Sequence, residues 1–389
     1  MKIHSFGDID GVLVARAAAL RPLLAEHAAR TESERQVVPE VMDALESAGL
    51  FDVVVPRRIG GHGATMATQL AVAAELGRAC PSTAWVQQIL NVTTWGAARS
   101  KGGTELFEHA GAGRRPQFAG VIAPSGTARR SGEGYVVNGQ WAFASGSFHA
   151  SWFTGGVLVQ DEAGKPVGVG MALMPFTDLQ IDDTWFVAGM CGTASNTVVA
   201  DHVVVPASRI VLVSDASHEA SEPADRWPVG SVLALVLTGS LLGAARACAD
   251  LVIEKSPKRA LSYTSYGRTT DSMVAVTEVA RACLDIDSAW LHAFQAAAYI
   301  DAVGAGAARD PVEETRVRGQ SGYLTALLRG GVDTLINVAG AGSFASASPL
   351  QRYWRDLEVG SRHAFLATNV ALETYGRGLF GLEPVLAIV

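Results

Sequence analysis

Ser145 and His363 are the side chains best suited, by type and setting, to do chemistry in this chain. His363 falls on a predicted helix with Val359, Gly360, Leu366 and Ala367 about one turn away. An imidazole, with an unperturbed pKa of about 6.5, serves there as proton donor or base. As imidazolium it would also stabilise developing negative charge. The alternative is a core histidine bonded to a backbone carbonyl. Ser145 stands in the string FASG, where its hydroxyl can accept and donate at once. Its alternative is a strand-end turn satisfied by backbone. His149 follows four residues later and either lines a pocket or closes that turn. Trp141 and Phe143 alternate along a strand and are therefore predicted to share one face, beside a ligand ring or as core aromatics.

Gly340, Gly342 and Ser343 make a small-residue turn between two helical patterns. Exposed N–H groups beside a helix start suit a phosphate, unless the turn merely joins the helices. Trp95 and Phe365, with Trp85 and Leu90, offer apolar walls for a bulky ligand, which is equally what a core looks like. The nine histidines and four cysteines show no metal-ligand spacing, so no metal is expected. Cys80, Cys191, Cys248 and Cys283 lie far apart, the pattern of reduced, buried thiols.

The elements that must hold these residues come in three blocks. Residues 1–115 carry helix-period patterns such as VLVARAAALRPLLAEHAAR and TQLAVAAELGRA, with Pro39 in a first turn and Gly49 as a stop. TAWVQQILNVTTWGAA is too uniformly apolar to face solvent and belongs inside the helical layer. Residues 116–215 read as short strands, with hairpin signals at Gly132–Gly134 and Asp161–Lys165, which predicts a small sandwich or barrel. Residues 216–389 return to long helical patterns that suit a four-helix bundle. The fold class is therefore α+β, and the stretch from Ser214 to Asp225 is the best linker candidate.

With 389 residues, 49% of them apolar and 18% charged, the chain can bury a large core and is not disordered. A net charge of −7 with no basic patch argues against a nucleic-acid partner. The N-terminus shows no secretory pattern, so a cytoplasmic protein is expected. The uncharged run from Trp227 to Ala245 approaches the roughly 20 residues of a membrane span. Its small polar residues, and the helical spacing of Arg246, Asp250 and Glu254 beyond it, favour a buried helix and no membrane.

The helical, β, four-helix order resembles the acyl-CoA dehydrogenase superfamily over nearly the whole chain. Four strings carry the likeness: FAGVIAPSGTA, NGQWAFASGSFHASW, GMCGTASNTVVADHVVVP and GAGSFASASPLQRYWRDLEVGSRHAF. Dehydrogenases of that family need a carboxylate base. Here the matching positions, His363-Ala364 after Arg355-Asp356 and Leu233 on the first bundle helix, have none. The FASG serine and the His eight residues after Arg355 instead resemble the oxygenase components of two-component flavin-dependent monooxygenases.

That resemblance implies reduced FMN or FAD delivered by diffusion from a separate NAD(P)H:flavin reductase, O2 as co-substrate, and a flavin C4a-hydroperoxide. One oxygen atom then passes to an aromatic or polycyclic small molecule. It implies a homotetramer as well. By the same resemblance, the hydroxyl of Ser145 lies near flavin N5, with Trp141, Phe143, Gly146 and Ser125 around the ring. Gly340, Gly342 and Ser343 approach the ribityl or phosphate part. His149, Thr93, Trp95 and Phe365 line the substrate pocket. Two positions depart from relatives: Tyr263 stands where FAD-binding dehydrogenases carry an Arg, and Thr93 where phenol hydroxylases carry a His. Alternatives left open are an N-hydroxylase of amines or amino sugars, a dehydrogenase with a displaced base, and a non-catalytic flavin-binding paralogue.

Overall fold

A computed structural model describes residues 8–110, 115–212 and 221–383. Helix α1 (Gly11–Ser33) starts where the Asp10 carboxylate accepts the N–H groups of Val12 and Leu13. Helix α2 (Pro39–Ser47) opens on its proline, and Gly49 follows its end with φ 71°. Helices α3 (Met66–Gly77), α4 (Pro81–Ala98) and α5 (Lys101–Ala110) complete the first block. Nearly every residue of α4 is buried, as its composition required. It carries Trp85 and Thr93 into the middle of the molecule.

The strands are β1 (Phe118–Ser131), β2 (Gly134–Ala144), β3 (Trp152–Gln160), β4 (Pro166–Pro175), β5 (Gln180–Asp182), β6 (Asn196–Pro206) and β7 (Ile210–Leu212). They form one sheet in the order β5-β6-β2-β1-β3-β4-β7. The β1–β2 turn at Gly132-Glu133 and the β3–β4 turn at Asp161–Lys165 both fall where the turn residues predicted them. β1 and β3 pair in parallel, and β1 bulges between Val121 and Gly126, lifting Ala123, Pro124 and Ser125 out to solvent. Trp141 lies fully buried beneath that bulge, its indole Nε1 donating to Gly156 O at 2.8 Å.

The last block contains α6 (Val229–Val236), α7 (Thr238–Lys255), α8 (Met273–Gly304), α9 (Pro311–Ala339), α10 (Pro349–Gly360) and α11 (Thr368–Leu379). The stretch 229–258 holds an 18-residue window with the length and hydropathy of a membrane span, yet 89% of that window is buried inside the fold. Of the linker candidate, residues 214–220 lie outside the described set, while Pro223–Arg226 form a 3-10 turn.

One expected helix is broken. The pattern from Arg352 to Leu379 reads as continuous, but α10 stops at Gly360 and a 3-10 turn, Ala364–Leu366, precedes α11. Broken backbone must find other partners. Here the His363 side chain accepts from the Phe365 N–H and Arg318 Nη2 donates to Ala364 O at 3.0 Å, while Thr368 Oγ1 ties the start of α11 to α9 by donating to Gly322 O at 3.1 Å.

Candidate functional site

Ser145 opens the turn that follows β2. Its neighbour Gly146 holds φ 75°, and a Cβ there would lie 3.2 Å from Leu90 Cδ2, so this turn needs a glycine beneath α4. The Gly146 N–H donates to Thr193 O at 2.9 Å, pinning the turn to the loop between β5 and β6. The Ser145 hydroxyl is 8% exposed and sits in a chain of bonds. Trp85 Nε1 donates to it at 3.2 Å, Ser195 Oγ lies 2.7 Å away, and Thr193 Oγ1 lies 2.7 Å beyond that.

The same Trp85 ring reaches His363, with centroids 5.9 Å apart at 58°. Phe365 stacks on the other side of the imidazole, at 5.9 Å and 12°. Tertiary packing thus brings Ser145, Trp85, His363 and Phe365 together from three separate stretches of chain. Arg318 of α9 closes the group, its guanidinium 4.7 Å above the Phe365 ring. Burial lowers the Arg318 pKa to about 10, and among the described residues no carboxylate lies within ion-pair distance of it.

The electrostatics of His363 follow. Burial, with the Arg318 charge adding to it, pushes the imidazole down to about 4. It is therefore neutral at pH 7, which disfavours the imidazolium role considered above and leaves those of a neutral donor or base. Because Nδ1 accepts the Phe365 N–H at 3.2 Å, the ring proton belongs on Nε2. A neutral N–H donor results. The residue also sits at the start of a 3-10 turn rather than within a helix.

Other expectations are corrected by the geometry. Trp141 and Phe143 do not share a face: the β2–β6 register slips between Trp141 and Ala144, and Phe143 takes φ 66°. Trp141 stays in the sheet core. Phe143 is 70% exposed, edge-on against Trp185 at 6.0 Å. An aromatic residue held at positive φ is strained, and such strain gathers where a ligand is met. Trp95 points away from Ser145, its Nε1 donating to Ala224 O at 3.1 Å and its ring tilted on Trp227. Thr93 Oγ1 donates into backbone carbonyls of Ile89 and Phe118, so its proton ties α4 to β1 and is not spare for a ligand.

Gly340 ends α9 with φ 67°, and Ser343 Oγ donates to Gly340 O at 2.7 Å. This turn lies twenty-two positions beyond Arg318 along α9, roughly 33 Å at 1.5 Å per residue. Within one chain, Gly340, Gly342 and Ser343 are therefore remote from Ser145 and His363. Ser125 is exposed on the β1 bulge, and His149 is half-buried at the end of the Ser145 turn. Tyr263 is fully exposed, and Arg268 pairs with Asp271 at 2.9 Å.

Sequence reasoning missed Thr193, Ser195 and Arg318. The first two lie in GMCGTAS, read only as part of a hairpin, and an arginine within a mixed helical pattern looks like any surface arginine. No short-range signal marks them.

Comparison with known proteins matches residues 14–105 to the family described as acyl-CoA dehydrogenase, N-terminal domain, and residues 235–368 to its C-terminal domain. The chain is 32% identical over 382 residues to the flavin-dependent monooxygenase oxygenase subunit HsaA of Rhodococcus jostii, covering 94% of this chain and 98% of that one. It is 30% identical to the FADH(2)-dependent resorcinol hydroxylase oxygenase component of Rhizobium, covering 96% and 95%. Among solved structures, XiaF from Streptomyces in complex with FADH2 and glycerol superposes with a TM-score of 0.93 at 33% identity, covering 97% of each chain.

Proposed function

We propose that this chain, which belongs to the acyl-CoA dehydrogenase family and to its flavin-dependent monooxygenase branch, is the oxygenase component of a two-component aromatic hydroxylase. The observation that carries this reading is the pairing of the Ser145 hydroxyl with a neutral His363 through Trp85, where among the described residues the charge acting on His363 is that of Arg318. A dehydrogenase needs a carboxylate base, worth roughly 10²–10⁴-fold. Among the described residues, no carboxylate acts on His363.

The residues present fit a flavin ring. Ser145 keeps an unengaged lone pair, and the outward Phe143 and Trp185 offer aromatic edges beside it. Reduced flavin, when bound, supplies the electrons that activate O2 and allow one oxygen atom to be inserted into the substrate. Ser145 would hold the ring at N5. The Nε2–H of His363 would donate to developing negative charge on oxygen, with no change of protonation required. Trp85, Leu90 and Phe365 would keep that space dry.

We place FADH2 first among the flavins, because the resorcinol hydroxylase is named for it and XiaF was solved with it; FMNH2 is the alternative. A separate NAD(P)H:flavin reductase would deliver it, and O2 would be co-substrate. A hydroxylated aromatic ring is the substrate class favoured by the resorcinol hydroxylase likeness. The chain would work as a cytoplasmic homotetramer.

The test is anaerobic loading with FADH2 or FMNH2, addition of oxygenated buffer, and timing of the return of oxidised flavin absorbance. Slower return than in protein-free solution is expected. An unchanged rate with both flavins would sink the oxygenase reading, and thioester reduction of a dye would then be the next assay.

A further inference from the structure

A hydroxyl bonded on several sides looks adaptable, but at Ser145 the direction of each bond can be worked out. The chain ends on Met190 O, a carbonyl that can only accept. Thr193 Oγ1 must donate to it, at 2.8 Å, which uses the only hydrogen Thr193 has. Toward Ser195, 2.7 Å away, Thr193 is then an acceptor, so the hydrogen of Ser195 points at Thr193. Toward Ser145, also 2.7 Å away, Ser195 is in turn an acceptor, so the hydrogen of Ser145 points at Ser195. Trp85 Nε1–H, a donor only, takes one lone pair of Ser145. One lone pair remains on Ser145, and no hydrogen.

Met190 itself is held. Its N–H donates to the buried carboxylate of Asp356 at 2.5 Å, and its carbonyl also receives Trp185 Nε1 at 2.9 Å. All three hydroxyls are buried, with Thr193 at 1%, Ser195 at 4% and Ser145 at 8% exposure, so no solvent competes to scramble the order. Hydrogen bonds in such a chain polarise one another.

We infer that Thr193 and Ser195 are positioning residues that lock Ser145 as a hydrogen-bond acceptor, so that the site selects reduced over oxidised flavin. The inference rests on the flavin reading above. N5 of a reduced flavin carries a hydrogen and finds an acceptor. N5 of an oxidised flavin presents a lone pair, and would face the lone pair of Ser145. Selection by redox state therefore depends on Thr193 and Ser195 acting through Ser145. In Thr193→Val the Ser195 hydrogen loses its acceptor and can turn back to Ser145, whose own hydrogen is then free for an oxidised N5.

The experiment is equilibrium binding, by quenching of protein fluorescence, of oxidised FAD in air and photoreduced FAD under anaerobic conditions, repeated with FMN. The readout is the ratio of the two dissociation constants, which does not depend on turnover. The wild-type protein is expected to favour the reduced form. Thr193→Val and Ser195→Ala should each lower the ratio by about tenfold, the effect of one buried hydrogen bond. Thr193→Ser, which keeps the hydroxyl, should restore it, and Ser145→Ala should abolish the preference. A wild-type ratio retained in both Thr193→Val and Ser195→Ala would overturn the relay while leaving the flavin reading intact. Absence of binding by the wild-type protein to any of the four flavin forms would overturn both.

Discussion

At the scale of single residues, His363 and Asp356 titrate with opposite consequences. His363 has a folded pKa of about 4 against about 6.5 in an unfolded chain. Between those values the unfolded state binds more protons, so its contribution to stability is intact above pH 6.5 and is lost as pH falls toward 4. Burial raises Asp356 from 3.8 to about 7, so the folded state binds more protons between those values and stability falls as pH rises through them. Asp301, raised to about 6 while it accepts the N–H groups of Met66 and Ala67, has the same sign as Asp356. The opposed slopes flatten the wild-type profile. In scanning calorimetry from pH 7 down to about 4, His363→Asn should melt progressively higher relative to wild type, and Asp356→Asn progressively lower. Parallel curves for all three proteins would show that these groups do not titrate as their burial implies. Both residues bear on the proposed site, since His363 packs against Trp85 and Asp356 holds Met190 at the end of the hydroxyl chain.

Elements decide how firmly that site is held. The Ser145 turn is clamped between Leu90 of α4 above and the loop carrying Thr193 beside it, with Gly146 at the crossing. A Cβ at Gly146 faces both a positive φ and a contact 3.2 Å from Leu90. Gly146→Ala is therefore expected to reduce stability by about 1–3 kcal/mol, read from urea unfolding, and to move Ser145 away from Trp85. A stability change within about 0.5 kcal/mol would mean the turn has slack not visible in its packing. The break between α10 and α11 is of equal weight. Without it, His363 would ride on a helix and its Nδ1 would not cap Phe365, so neither its tautomer nor its approach to Trp85 would follow. The break survives because Arg318 and His363 satisfy interrupted backbone groups and Thr368 ties the start of α11 to α9.

For the whole molecule, exposed apolar side chains gather on the last block: Met273, Val274, Leu284 and Leu291 along α8, and Leu379, Phe380 and Leu382 at and after the end of α11. Such surface is what subunit contact covers. The Gly340 turn, about 33 Å along α9 from the site in its own chain, would gain a ligand role only through a neighbouring copy. Light scattering is expected to give four times the 40.7 kDa chain mass; a monomer would remove that role and the homotetramer with it. Much of this was legible in the amino-acid order. Periodicity and turn residues determine the helical, β, helical succession, the two hairpins and the buried α4, because those signals are local and repeat every two or 3.6 residues. Tertiary structure alone decided the rest. A one-residue slip in the β2–β6 register turned Phe143 outward while Trp141 stayed inward, and a break just after Gly360, in a pattern that otherwise reads as continuous helix, placed His363 in a turn. Trp85, Ser145, Thr193 and Arg318 are separated by tens to hundreds of positions along the chain. The proton order and the neutral imidazole that their meeting produces depend on distances and burial, which exist only once the chain has closed upon itself.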